Sequence, residues 1–404
     1  MDEKFSLIDA INLDELSSTE SPSENDTTPG DPLAFPKINA GVADDFADAY
    51  SEISESPRHF YVLVYLACLG SMLAAKIRLK SLLKVVPRLY LILLGASGRG
   101  RKSTPIAITV DFFKSILPEF SIMHNANSGE GLAGFLETNP STILVYDEFM
   151  AFVAKATQKG NTILGAVTSL FEKNEYQTAT KDKQLLIENA HLSLVAACTT
   201  DTWERCWSPD FTAIGLVNRL FLVPGGMEKL VPIPPQLPVQ KWRTLRENTL
   251  GIIRMAEVVK EYWLTEDGKD LYDAWYKHGL DHKSLHSVRL DAHALRLMLL
   301  LAVARGEETI NKEVVKYAIR LANWQHNVRK QFDPLDADNE MAAVEERIRR
   351  ALAKGPQTKR ELQQRTHAAR SGLWIWKNGL QNLIENNEVR YDPGNKTYNL
   401  ESKV

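Results

Sequence analysis

The sequence predicts an α/β fold with a parallel sheet at its centre, and three stretches predict it. Leu91-Ile92-Leu93-Leu94 reads as a buried strand, breaks into Gly95-Ala96-Ser97-Gly98-Arg99-Gly100, and Lys102-Ser103-Thr104 then opens a helical pattern. Ile143 to Tyr146 is a second apolar run, ended by Asp147-Glu148. Leu192 to Cys198 is a third, ended by Thr199-Thr200. Short, continuous apolar runs alternating with helical patterns are what parallel strands covered on both faces look like.

The first stretch has the layout of a phosphate-binding loop. Backbone N–H groups at a helix N-terminus face an anion, glycines let the backbone approach it, a lysine reaches the phosphates and a hydroxyl binds Mg²⁺. Gly95, Ser97, Gly98, Gly100, Lys102, Ser103 and Thr104 are the candidate ATP contacts. The spelling departs from G-x-x-x-x-G-K-[ST]: Ala96 and Arg101 stand where glycines are usual. The loop must fold differently, or Arg101 must tolerate the local geometry. The strand ended by Asp147-Glu148 supplies the other half of the chemistry. Asp147, with Ser103, is the candidate metal ligand, and Glu148 would orient and polarise an attacking water.

Composition leaves this reading room. The chain has 404 residues, 44% of them hydrophobic and 25% charged, with a formal net charge of −3. That is ordinary globular composition, long enough for two or three domains. A weakly acidic balance puts any DNA-binding surface into a local patch. The three cysteines have neither C-x-x-C spacing nor a histidine cluster, so neither a disulfide framework nor a zinc site is indicated, and a cytoplasmic location is expected. The most apolar helix, Phe60 to Ala75, is shorter than a bilayer span and runs into Lys76, Arg78 and Lys80, so no membrane partner is expected.

Taken in order, residues 1–35 form an acidic tail with nine carboxylates between Asp2 and Asp31, too polar to bury a core and expected to be disordered. Phe46 to Leu83 reads as two helices, with the basic run Lys76, Arg78, Lys80, Lys84 as a solvated helix end. Thr104 to Leu117 is a helix. Ser128 caps another that runs to Leu136. Helices follow over Phe149–Lys155 and Thr162–Phe171. Tyr176 to Ile187 alternates as a hairpin, whose Lys181 and Lys183 could line a DNA channel or simply decorate an exposed turn. Gly215 to Pro224 places Asn218-Arg219 before one more strand, where an arginine could reach a neighbouring subunit's nucleotide. The proline-rich Val231 to Pro238 ends the core, residues 36–238.

Residues 239–335 read as a helical lid: Leu245–Tyr262, Asp267–His278, Leu290–Ala304 and Asn311–Val328 each keep the 3.6 period, with Asn311 as a cap. Arg289 and Arg296 are candidate lid arginines for the nucleotide. After an acidic linker, residues 340–404 repeat helix–helix–helix–hairpin, the plan of a winged helix. Thr358 and Ser371 cap the second and third helices. This segment holds twelve Lys/Arg against eight Asp/Glu. Its third helix, Leu373 to Glu385, would enter a major groove with Lys377, Asn378 and Gln381 exposed. Trp374 and Trp376 cannot both be core on one helix. Protein binding is the competing use of such a domain.

The motifs and their order resemble a known family. Pro87-Arg-Leu-Tyr-Leu-Ile-Leu-Leu-Gly-Ala-Ser-Gly-Arg-Gly-Arg-Lys-Ser, Ser128-Gly-Glu-Gly-Leu, Tyr146-Asp-Glu-Phe, Leu192-Ser-Leu-Val-Ala-Ala-Cys-Thr-Thr and Gly215-Leu-Val-Asn-Arg-Leu-Phe are similar to the uncharacterised P-loop ATPase domain of phage, prophage and plasmid primase–helicase proteins, over roughly residues 40–330. The resemblance implies a RecA/AAA-like core working as a ring-like homo-oligomer on single-stranded or forked DNA. It implies nucleotide contacts at Lys102, Ser103, Asp147, Glu148 and Thr199, and Arg219 acting in trans. No zinc-binding or primase motif is present, so priming would fall to a separate partner.

Overall fold

The apolar runs become strands of one sheet. β1 (Tyr90–Gly95), β2 (Ser121–His124), β3 (Ser141–Tyr146), β4 (His191–Thr199) and β5 (Phe221–Pro224) lie in the order β2-β3-β4-β1-β5, and every neighbouring pair is parallel. The structure is a computed structural model; it describes residues 33–179, 184–207, 214–333 and 340–401. All six residues of β1 and eight of nine in β4 are buried, which is why both read as unbroken hydrophobic runs. β2 left no such signal, because its four residues are only partly covered at the sheet edge.

Helices fill the crossovers that parallel pairing demands. α1 (Val42–Ile53) and α2 (Arg58–Leu73) precede the sheet. α2 is buried on every side from Phe60 to Leu73, and it packs against β4, β3 and the helix after β1. α3 (Ser103–Ile116) follows β1, α4 (Gly129–Thr138) follows β2, α5 (Phe149–Ala156) and α6 (Ile163–Glu172) follow β3, and α7 (Thr200–Arg205) follows β4. Glu175–Ala179 and Gln184–Glu188 pair antiparallel as the expected hairpin. Lys181 and Lys183 lie outside the described residues.

The second N-terminal helix stops at Leu73, close to the Ala75 end of its apolar run, and the helical reading out to Leu83 does not hold. Arg78–Leu79 instead pairs parallel with Glu261–Tyr262. The backbone N–H groups of Arg78 and Lys80 donate to Lys260 O and Tyr262 O, while Lys76 and Arg78 pair with Glu257 and Glu261. Lys76 and Arg78 are therefore tied down, whereas the Lys80 and Lys84 side chains are exposed, as a solvated run would be.

α8 (Val239–Val259), α9 (Glu266–Ala274), α10 (Leu290–Ala304) and α11 (Lys312–Phe332) form the helical region, with Asn311 Oδ1 accepting from Val314 N as the cap. They share one compact unit with the sheet, up to Phe332. Long-range bonds show why: Tyr65 Oη meets Thr249 Oγ1 at 2.8 Å, Arg296 Nη2 donates to Phe171 O at 2.7 Å, and Trp203 Nε1 donates to Phe332 O at 2.6 Å.

Residues 333–404 are a second unit. Helices Glu340–Leu352, Lys359–Arg365 and Leu373–Glu385 surround Ile348, Leu362, Trp376 and Leu383. Gln357–Thr358 joins the hairpin of Val389–Asp392 and Thr397–Leu400 as a third antiparallel strand, too short to announce itself. Thr358 forms a full capping box with Glu361. Gly372, at φ +84, stands at the N-cap of the third helix; Ser371 belongs to the short turn of helix before it. Among the described residues no helix is long and apolar enough to cross a membrane.

Candidate functional site at the carboxyl edge of the sheet

The loop after β1 is closed by its own backbone. Gly100 N donates to Ala96 O at 2.8 Å and Arg99 N to Ser97 O at 2.7 Å. Gly98 takes φ +67, which costs a glycine little. At Gly95 a Cβ would stand 2.4 Å from Gly225 O, so only glycine fits there. Lys102 folds back into this turn. Its Nζ donates to Gly95 O at 3.1 Å and Ala96 O at 3.2 Å, and the residue is 7% exposed. Ser103 and Thr104 are exposed in the first turn of α3.

Arg101 answers the question its position raises. It adopts φ +45, the left-handed region a glycine would take freely. Two contacts hold it there: Arg101 Nε pairs with Glu55 Oε2 at 2.5 Å, and Ser56 Oγ donates to Arg101 O at 2.9 Å. Both partners come from the turn between α1 and α2. The N-terminal helices thus brace the loop.

Register brings the other residues to the same edge. Gly95 pairs with Thr199 and Leu94 with Cys198, while Tyr146, just before Asp147-Glu148, pairs with Ala196. Asp147 and Glu148 are exposed. Burial lowers the Lys102 pKa, and the charge of Glu148 opposes that shift. The thiol of Cys198, close to Lys102 and Glu148, is pushed up to about 12, chiefly by burial. Thr199 Oγ1 accepts from Thr202 N at 3.1 Å and so starts α7. Gly95, Lys102, Ser103, Asp147, Glu148 and Thr199 therefore gather around adjacent strand ends, with Ser97, Gly98, Gly100 and Thr104 in the same loop and helix turn.

Arg219 and Arg289 do not join them. Phe221 is level with Leu91, so Arg219, two residues earlier, lies beyond the starting edge of the sheet. At ~3.3 Å per residue, even Leu91 is roughly 13 Å from Gly95. Arg219 Nη1 donates to Gly215 O at 2.7 Å, its Nε has no hydrogen-bond partner among the described residues, and burial lowers its pKa. Arg289 pairs with Glu172, whose backbone O accepts from Arg88 just ahead of β1. Arg289, read from the sequence as a lid arginine for the nucleotide, thus lies at the opposite edge of the sheet from the loop of its own chain. Arg296 is buried beneath it, its guanidinium 3.7 Å from the Phe171 ring centroid and its Nε and Nη1 without partners among the described residues.

In the second unit Lys377 and Gln381 are exposed on the third helix, and Asn378 is half-buried. Trp374 is 72% exposed, whereas Trp376 is buried and donates to Thr366 Oγ1 at 2.7 Å. Trp374, Lys377 and Gln381 share one face at helical spacing. A scan against protein-family models returns no match, and a search of curated proteins returns none either.

Proposed function

We propose that this chain binds and hydrolyses ATP as one subunit of a ring-like DNA motor, helicase-like in kind, serving replication of a phage, plasmid or other mobile element. The observation that carries the reading is the convergence of Lys102, Glu148 and Thr199 at the carboxyl edge of β1, β3 and β4, with β4 placed between the other two. This edge is where open parallel sheets bind their ligands.

Lys102 would exchange its two carbonyl acceptors for phosphate oxygens, joined by the N–H groups that open α3. Glu148 would orient the attacking water, and Thr199 would contact the terminal phosphate. Ser103 and Asp147 would hold Mg²⁺. No group of three or more His, Cys, Asp or Glu suited to a metal occurs among the described residues, so such an ion would have to take its other ligands from phosphates and water. When bound, it neutralises charge on the β- and γ-phosphate oxygens. Arg219, remote from its own loop, would serve the neighbouring subunit. The second unit, with three longer helices, one short helical turn and a three-stranded sheet, supports a winged-helix reading with DNA at Lys377 and its neighbours.

ATP turnover by wild type, Lys102→Ala and Glu148→Gln, with and without forked DNA, tests the proposal. Turnover by wild type alone is expected; equal turnover by all three would refute it. Arg101, fixed by Glu55 in a loop that usually has glycine there, favours a second reading: a nucleotide-gated DNA-binding assembly protein that does not unwind. Strand displacement separates them.

A further inference from the structure

Beside the loop is a cavity of about 520 Å³ that the phosphate chemistry leaves unused. It is lined by Tyr50 of α1, Arg101, Thr104 and Ile108 of the loop and α3, Pro235 of the proline-rich stretch, and Trp242 of α8. Its size falls within the ~300–1,000 Å³ of small-molecule sites.

Three features point to one occupant. Thr104 and Ile108 are a helical turn apart on the helix that Lys102 and Ser103 open, so the cavity begins where the phosphate end stops. Its walls are mixed: Tyr50, Ile108, Leu237 and Trp242 are apolar or aromatic, while Ser54, Glu55, Ser56 and Gln236 bring polar groups. Trp242 is half-buried and held edge-on against Phe112, with centroids 6.2 Å apart and planes at 79°, while Tyr50 stacks on Tyr61. Arg101 lines it too, paired with Glu55. A chamber with a flat aromatic ring, polar groups that a base and a ribose could meet, and a phosphate loop next door suits a nucleoside 5′-triphosphate.

We propose that this cavity takes the base and ribose of the nucleotide whose phosphates meet Lys102, with Trp242 as the stacking wall. The proposal rests on the nucleotide reading above. The proline-rich stretch is then a wall of the site as well as the end of the core.

The test measures binding of ATP and of inorganic tripolyphosphate to the full chain by competition against a fluorescent ATP. Trp242→Ala is expected to weaken ATP by roughly tenfold, as loss of one base–aromatic stack does, and to leave tripolyphosphate unchanged. Ile108→Trp, which fills the cavity, is expected to give the same split without removing an existing wall. Lys102→Ala weakens both ligands. ATP affinity within twofold of wild type in both cavity variants overturns the proposal, as does an equal loss of tripolyphosphate, which would mark a general collapse. Wild type that binds neither ligand overturns the nucleotide reading itself.

Discussion

At Arg101 two effects oppose each other. A non-glycine residue in the left-handed region costs ~1–2 kcal/mol; the pair with Glu55, whose carboxylate is only 12% exposed, offsets part of it. Arg101→Ala keeps the strain and loses the pair, whereas Arg101→Gly loses both. The glycine variant is therefore expected to be more stable than the alanine variant by about 1 kcal/mol, read from urea midpoints at constant slope. Arg219 makes the second prediction at this scale. Removing an arginine finger costs ~10³–10⁵ in rate, so Arg219→Ala should nearly abolish hydrolysis and leave ATP binding intact. Normal turnover by that variant would remove Arg219 from the chemistry. The residue scale is also where the sequence was silent about Arg289. Its helix was visible in the pattern, but the edge of the sheet it reaches is set by topology, and no local pattern encodes that.

Among elements, those with a strong period were legible. Leu91–Leu94 and Leu192–Cys198 announced their strands because both faces are buried, and Thr358 and Asn311 announced their helix starts through capping chemistry. Ser121–His124, Arg78–Leu79 and Gln357–Thr358 were silent, since runs of two to four residues with no continuous buried stretch owe their pairing to distant partners. The candidate site divides the same way. Lys102, Ser103, Asp147, Glu148 and Thr199 each end or begin a legible element. The cavity wall at Tyr50, Ile108 and Trp242 is assembled from three separate segments and could not be read. Two elements in the second unit can be tested. Thr358→Ala removes the hydroxyl half of its capping box, leaving the Thr358 N–H on Glu361, and should lower the stability of that unit by ~1 kcal/mol; no change in its melting would count against the cap. Lys377→Ala should weaken DNA binding alike for all sequences and reduce the slope of log affinity against log salt by about 1. An unchanged slope would place DNA elsewhere.

For the molecule as a whole, buried histidines set an acid limit. Burial lowers the pKa of His59 to about 4, against the hydrogen bond with Pro224 O, and that of His293 to about 3, helped by Arg296 and Arg329. Unfolded, each would titrate near 6.5. The unfolded chain thus binds more protons below that pH, so stability is fully present above pH 6.5 and falls as pH drops toward 4. His59 alone contributes up to about 3 kcal/mol to this loss. Urea midpoints should be flat between pH 7 and about 8 and decline below 6.5, and His59→Gln should soften the acid decline; a flat profile down to pH 4.5 would contradict it.

The two edges of the sheet have a kinetic corollary. If Arg219 completes a reaction begun at another copy's Lys102, an isolated chain carries every reagent but has them facing apart. Specific activity should then climb with enzyme concentration and fade on dilution, and a mixture of Lys102→Ala and Arg219→Ala chains should recover turnover that neither has by itself.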